Sequence, residues 1–328
     1  MNRKVALEAV RVTELAALAS WSQMGRGDKM AADQAAVDAM RKAFNDVEID
    51  GTVVIGEGEM DEAPMLYIGE QVGRGGAKVD IALDPLEGTI PTAMGGPNAL
   101  TVIAMTDEDC FLNAPDVYMQ KIAVGGTDVP KGLIDLDDTV ANNLNRIAAH
   151  KGVHVSTLIV CTMDRERHVD IINEARETGA RVILIDNGDL SAVIATATEG
   201  SGIDVFIGTG GAPEGVLAAA ALQCLGGQME ARLLFADEDE VARAHKWGIT
   251  DLDKKYDIGE LASGNIVFAA TGVTDGSMLK GVKTMHSSLR GSFAVTHSVV
   301  MRSSTKTIRY ITAEHSFNAK EGVEKFMS

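Results

Sequence analysis

From Asp138 onward the chain alternates short apolar, β-branched runs with segments of helical period, and this alternation constrains its fold more than any other feature. Thr139 to His150 reads as a helix, Thr157 to Cys161 as an apolar strand, and Asp164 as the N-cap of a helix through Arg176 that Gly179 ends. Arg181 to Ile185, Val205 to Ile207 and Ile266 to Ala270 read as further strands, with helices from Leu190 and over Gly215 to Leu225 among them. Such β-α-β repetition predicts a mostly parallel sheet covered on both faces. The first 130 residues have a different texture: helices over 5–24 and Ala32 to Asn45, then strands at Gly51 to Ile55, Val79 to Leu83, Leu100 to Met105 and Tyr118 to Val124. Gly125 to Pro130 supplies the turn chemistry of a boundary. Phe293 to Ser316 alternates like an antiparallel hairpin turning near Ser303 to Thr305, and could pack with either half. The expectation is an α/β protein of two domains, 1–130 and 131–328.

Charge narrows the function. With 30 Lys+Arg against 47 Asp+Glu the net charge is -17, which repels nucleic-acid phosphates and anionic membrane surfaces. No apolar run approaches the roughly 20 residues of a bilayer span, and the N-terminus has no signal-peptide core. A cytoplasmic protein with neither nucleic-acid nor membrane partners is expected. Cys110, Cys161 and Cys224 lie far apart without CxxC spacing and read as reduced core thiols. The seven His residues show no paired spacing for zinc, and the 15 Met residues read as core filler. Gly208-Thr209-Gly210-Gly211 has Pro213 where a dinucleotide loop needs its third glycine, so no nicotinamide cofactor is expected.

Three acidic clusters stand at strand ends or helix starts, where ligands gather in α/β sheets. They are Gly25-Arg26-Gly27-Asp28-Lys29 with Asp33, Gly56-Glu57-Gly58-Glu59-Met60-Asp61-Glu62, and Asp84-Pro85-Leu86-Glu87-Gly88-Thr89. A single Asp or Glu among 47 is ordinarily a solvated charge. Glycines on both sides of Glu57 let a carboxylate emerge from a sharp turn. In the third cluster Pro85 fixes φ, Gly88 permits an unusual turn, and two carboxylates and a hydroxyl project from one short segment. Converging carboxylates repel one another unless a cation sits between them, and oxygen-only ligands select hard ions such as Mg²⁺ or Mn²⁺. In an acidic protein such ions invert the local field and favour a phosphorylated substrate. Gly88-Thr89 can open a helix and present backbone N–H donors to the same phosphate, the lesser alternative for Thr89 being a helix cap.

These motifs resemble a known family. Asp-Pro-Leu-Glu-Gly-Thr is similar to the metal-binding signature of the lithium-sensitive phosphatases, the superfamily of inositol monophosphatase and fructose-1,6-bisphosphatase. Gly-Arg-Gly-Asp-Lys, the run from Val54 to Tyr67, and Gly-Gly-Ala-Pro-Glu-Gly (210–215) more narrowly resemble class II fructose-1,6-bisphosphatase of bacteria. The resemblance extends through Thr-Gly-Val-Thr-Asp-Gly (271–276) and Thr-His-Ser-Val-Val-Met-Arg-Ser (296–303), nearly the whole chain. It implies a two-domain, layered α-β-α-β-α sandwich of the fructose-1,6-bisphosphatase and inositol monophosphatase type, and a homo-dimer or tetramer.

The resemblance also implies an activity: hydrolysis of the 1-phosphate of fructose 1,6-bisphosphate, a gluconeogenic step, with two or more Mn²⁺ or Mg²⁺ ions. Metal ligands would be Asp33, Glu57, Asp84, Glu87 and Glu214. Asp84, Glu87 and Thr89 would be catalytic, with Glu87-Gly88-Thr89 holding the 1-phosphate and Thr89 orienting the attacking water. Tyr118, Arg165, Glu166, Arg167, Asn187, Gly188, Asp189 and Gly210 would bind the rest of the sugar bisphosphate. An Arg pair suits a second phosphate away from the metals, whereas Asp189 taken alone could be only an N-cap. The family pattern has Asp-Gly-Asp where this chain has Asn187-Gly188-Asp189, exchanging a charge for a donor at 187. Rival expectations are sedoheptulose 1,7-bisphosphate or inositol phosphates as substrates, and an inactive metabolite-binding protein.

Overall fold

The computed structural model describes residues 4–58, 65–288 and 291–317. The chain divides into two compact units, one formed by residues up to Cys110 together with those from Gly264, the other by Phe111–Ser263. The acidic residues Glu59, Asp61 and Glu62 lie outside the described residues.

The first unit opens with helices α1 (Val5–Trp21) and α2 (Lys29–Phe44), which pack on each other. Asp28 caps α2 by accepting the Ala31 amide hydrogen at 3.0 Å. Strands β1 (Ile49–Ile55), β2 (Gln71–Val72) and β3 (Ala77–Glu87) follow, then the six-residue helix α3 (Thr89–Met94) and strand β4 (Leu100–Asp107). β1 and β3 run parallel, with Val53 opposite Ile81, and β4 returns antiparallel to β3.

The second unit begins with β5 (Tyr118–Gly125), α4 (Val140–Lys151), β6 (Ile159–Met163), α5 (Val169–Glu177), β7 (Arg181–Ile185) and α6 (Asp189–Thr196). It continues with β8 (Val205–Gly211), α7 (Ala212–Leu225), β9 (Gly227–Leu234), α8 (Glu238–Lys246), β10 (Lys255–Asp257) and α9 (Ile258–Leu261). Its strands are ordered β10-β9-β5-β8-β6-β7. Alternation along β5 sends Ile122 and Val124 into a core with Leu144 and Ile147 of α4, while Met119 and Lys121 face Gly215 of α7. Helices therefore cover both faces of this sheet, as the alternation pattern predicts.

The chain then returns to the first unit. β11 (Val267–Gly272) pairs with β4, β12 (Lys283–Ser287) and β13 (Gly291–Arg302) follow, and β14 (Thr307–Ser316) closes a hairpin with β13. Among the described residues the first sheet reads β12-β13-β11-β4-β3-β1-β2, with β14 outside β13. A hydroxyl bond between Thr13 of α1 and Thr271 of β11, at 2.8 Å, ties the first helix to a strand 258 residues later.

The molecule is thus mixed α/β with two multi-stranded sheets and packed helices. Four expectations change. The division falls at Cys110/Phe111 and Ser263/Gly264 rather than near 130, because β5 pairs with β8 and β9, not with β4. The strand expected over Ile266 to Ala270 belongs to the first sheet, where the Phe293 to Ser316 hairpin, open to either half in the sequence, also packs. The second sheet is mixed, since only β6 with β7 and β6 with β8 run parallel. Asp164 is not an N-cap: a 3-10 turn over Glu166–His168 intervenes before α5. The three cysteines are free, with Cys161 and Cys224 buried and Cys110 half-buried. Burial pushes the Cys161 thiol up to about 11.

Candidate active site

One acidic feature of the first unit arises from a break in strand register. Residues three apart on a regular strand face opposite sides. Asp84 lies opposite Val102 and Glu87 opposite Leu100, so β3 carries one extra residue there, and this bulge reverses the alternation. The carboxylate oxygens of Asp84 and Glu87 consequently come within 4.8 Å of each other. Asp84 also accepts the Leu86 amide hydrogen at 2.9 Å, which fixes its carboxylate against the turn. Gly88 follows at φ 94, a left-handed conformation that a side chain would strain, and Thr89 is the first residue of α3. Thr89 is therefore not the N-cap. Gly88 holds that place, and its carbonyl accepts both the amide and the hydroxyl of Thr92.

Asp33 rises from α2 half-buried, and its burial raises its pKa above the ordinary carboxylate value. Glu57 follows β1 in a turn held by its own amide on the Leu66 carbonyl at 3.0 Å. Neither lies within 4.8 Å of both Asp84 and Glu87.

In the second unit the expected sugar-phosphate residues converge at the ends of β5, β6, β7 and β8. The Arg167 guanidinium lies over the Tyr118 ring, 5.0 Å from its centroid, and donates twice to the Thr209 carbonyl, through Nη2 at 2.8 Å and Nε at 3.3 Å. Arg165 donates to the Asp164 and Asp186 carbonyls at 2.8 and 2.5 Å, tying the β6 end to the β7 end. Glu166 between them is exposed. Asn187 is exposed, Gly188 adopts φ 87, and Asp189 is the buried first residue of α6, inside the helix rather than its N-cap.

Asp189 forms an ion pair with Lys121, a lysine in the middle of β5 whose side chain is 1% exposed. Lys121 also donates to the Gly211 carbonyl at 2.8 Å. Lys121 belongs to no motif, although a lysine directly before the apolar Ile122-Ala123-Val124 of a strand is itself a signal that a partner waits in the core. His168 is a second residue that no motif marks; its Nε2 accepts the Thr209 amide hydrogen while Nδ1 faces the Met163 carbonyl. Nothing local distinguishes that histidine.

Gly210 and Gly211 each make room for a carboxylate. A Cβ at 210 would run into Asp189 Oδ2, and one at 211 into Glu214 Oε2. Glu214 stands in the first turn of α7, and its Oε2 atom is enclosed without a hydrogen-bond partner among the described residues. Desolvation raises the Glu214 pKa, the Asp189 charge adds to that, and the Lys121 charge opposes it. An enclosed carboxylate oxygen with no donor is costly unless a proton or a cation meets it. Glu214, like Asp33, Glu57, Asp84 and Glu87, offers only oxygen, the donor type hard divalent cations take. The residues therefore fit Mg²⁺ or Mn²⁺ chemistry.

Residues 3–315 match the family described as bacterial fructose-1,6-bisphosphatase, glpX-encoded. The chain belongs to that family. The Escherichia coli (strain K12) relative named fructose-1,6-bisphosphatase 1 class 2 is 47% identical over 98% of both chains. The Haemophilus influenzae class 2 fructose-1,6-bisphosphatase is 43% identical, covering 96% of this chain and 97% of its own. A Synechococcus relative, also 43% identical over 96% of both, is named D-fructose 1,6-bisphosphatase class 2/sedoheptulose 1,7-bisphosphatase. In this glpX-type family member Asn187 sits at an exposed position. Among the described residues no helix is long and apolar enough to cross a membrane.

Proposed function

We propose that the chain hydrolyses the 1-phosphate of fructose 1,6-bisphosphate, giving fructose 6-phosphate and inorganic phosphate, the phosphatase step of gluconeogenesis. Near full-length identity to class 2 fructose-1,6-bisphosphatases supports the substrate. The observation that carries the chemistry is the β3 bulge, which gathers Asp84 and Glu87 directly ahead of the Gly88-Thr89 turn.

Asp33, Glu57, Asp84, Glu87 and Glu214 are the proposed ligands of two or more Mn²⁺ or Mg²⁺ ions. Bound there, such ions neutralise phosphate charge and make water a better nucleophile at neutral pH. The chain's own groups do the rest. The Glu87-Gly88-Thr89 turn seats the 1-phosphate, and the Thr89 hydroxyl orients the attacking water in line with the leaving sugar oxygen. A neutral hydroxyl is a poor base, so the water's proton passes to a neighbouring carboxylate, Asp84 or Glu87. Arg165 and Arg167 take the distal phosphate, Tyr118 holds Arg167 flat, and Glu166, Asn187, Gly188, Asp189 and Gly210 meet the sugar. A cytoplasmic homo-oligomer is part of the same reading.

Phosphate release from fructose 1,6-bisphosphate with Mg²⁺, with Mn²⁺ and with chelator tests it. Release that needs a divalent ion is expected, and release undiminished by chelator refutes it. The Synechococcus relative's name supports sedoheptulose 1,7-bisphosphate as a second substrate, which the same assay measures directly.

A further inference from the structure

A buried lysine is costly unless its charge is matched, and the Lys121 ammonium is matched by Asp189 Oδ2 and the Gly211 carbonyl. Lys121 lies in a central strand, with Gly208 of β8 opposite on one side and Ala231 of β9 on the other, so its stem is held on both flanks. Its ammonium meets α6 through the first residue of that helix and β8 through its last. On the far side, Asp189 Oδ1 accepts the Leu190 amide hydrogen at 3.1 Å, an oxygen left with further acceptor capacity. Gly210 completes the arrangement, because any side chain there would displace the Asp189 carboxylate, and its Cβ would also stand 3.2 Å from the Lys121 ammonium.

We infer that Lys121 is a positioning residue for sugar recognition: it anchors and neutralises Asp189, so that this carboxylate accepts a sugar hydroxyl without repelling the phosphates of the same ligand. The inference rests on the fructose-bisphosphatase reading of the site and adds to it a residue that touches no substrate. Gly210 in this account leaves space for the ion pair and is more than a backbone contact. An anionic ligand approaching an unpaired buried carboxylate meets like-charge repulsion, whereas the Lys121–Asp189 pair is neutral overall.

The test is a double-mutant cycle with Lys121→Met, Asp189→Asn and both together, read by KM and kcat on fructose 1,6-bisphosphate and by calorimetric binding of fructose 6-phosphate. Lys121→Met is expected to raise KM and weaken fructose 6-phosphate binding about tenfold while kcat stays within about threefold. In the Asp189→Asn background the same substitution is expected to add nothing, because the charge it served is gone. Lys121→Gln removes the charge while keeping a polar side chain, and it carries the proposal if Lys121→Met does not fold, with the same rise in KM expected. Unchanged KM and binding in Lys121→Met or Lys121→Gln, or effects that add across the cycle, overturn the inference and leave the phosphatase reading intact. A wild type that binds fructose 6-phosphate in this Lys121-dependent way yet releases no phosphate overturns the phosphatase reading and not the inference. A wild type that does neither overturns both.

Discussion

His168 Nε2 accepts the Thr209 amide hydrogen at 2.8 Å, so a buried imidazole joins the turn after β6 to strand β8. That bond requires a bare Nε2 and a neutral ring. Burial lowers the His168 pKa below its ordinary 6.5, and the charges of Arg167 and Arg165 act in the same direction. A depressed folded-state pKa means that the unfolded chain binds the proton more readily. The contribution of His168 is therefore complete above about pH 6.5 and is lost as pH falls from there through the folded-state value. Denaturant midpoints between pH 7.5 and 5.5 should decline more steeply in wild type than in His168→Asn, whose midpoint at pH 7.5 should be lower by about 1–3 kcal/mol of stability. Parallel slopes would show that the ring titrates as in solution.

Thr89 opens α3 immediately after a glycine locked at φ 94, a placement that aims one hydroxyl without offering a base. Thr89→Ala should cost about 10²-fold in kcat with little change in KM, and Thr89→Ser should recover most of the loss. Near-normal turnover in the alanine variant would remove the threonine from the chemistry.

Arg167 is held by a ring and a carbonyl at once, and lysine can reproduce neither geometry. Arg167→Lys should raise KM for fructose 1,6-bisphosphate about tenfold, whereas Tyr118→Phe, which keeps the ring beneath the guanidinium, should stay within about threefold of wild type. Equal effects of the two would mean that the stack contributes nothing.

Glu214 Oε2 is enclosed without a donor among the described residues, so a cation should be worth more to the folded chain than to one lacking that oxygen. Thermal unfolding of chelator-treated protein should shift upward on adding Mn²⁺, by about 2.7 kcal/mol of stability at a hundredfold excess over Kd. Glu214→Gln should need about tenfold more Mn²⁺ for the same shift. An unaltered Mn²⁺ titration in that variant would strike Glu214 from the ligand set.

What the sequence discloses is local. Pro85 and Gly88 mark their own turn, because a fixed φ and an accessible positive φ are properties of those residue types. The bulge that pairs Asp84 with Glu87 is not legible, since it depends on which residues of β4 lie opposite. Tyr118 to Gly125 would read the same in either sheet, and its place is decided by Gly211 and Leu234, about a hundred residues downstream. Strand β9 alternates buried Met229, Ala231 and Leu233 with more open Gln228, Glu230 and Arg232, a period-two signal that the sequence does carry. Lys121 is the opposite case: its charge is visible, but its partner is 68 residues away.

Strands β4 and β11 are hydrogen-bonded neighbours, yet everything from Phe111 to Ser263 intervenes between them. A ribosome therefore finishes the entire inserted unit before it delivers β11 and β13, two of the strands that α1 packs against, and the Thr13 hydroxyl waits for Thr271. During synthesis the first helix emerges as an apolar surface with half its sheet still unmade, which makes it the segment most in need of shielding while the chain grows.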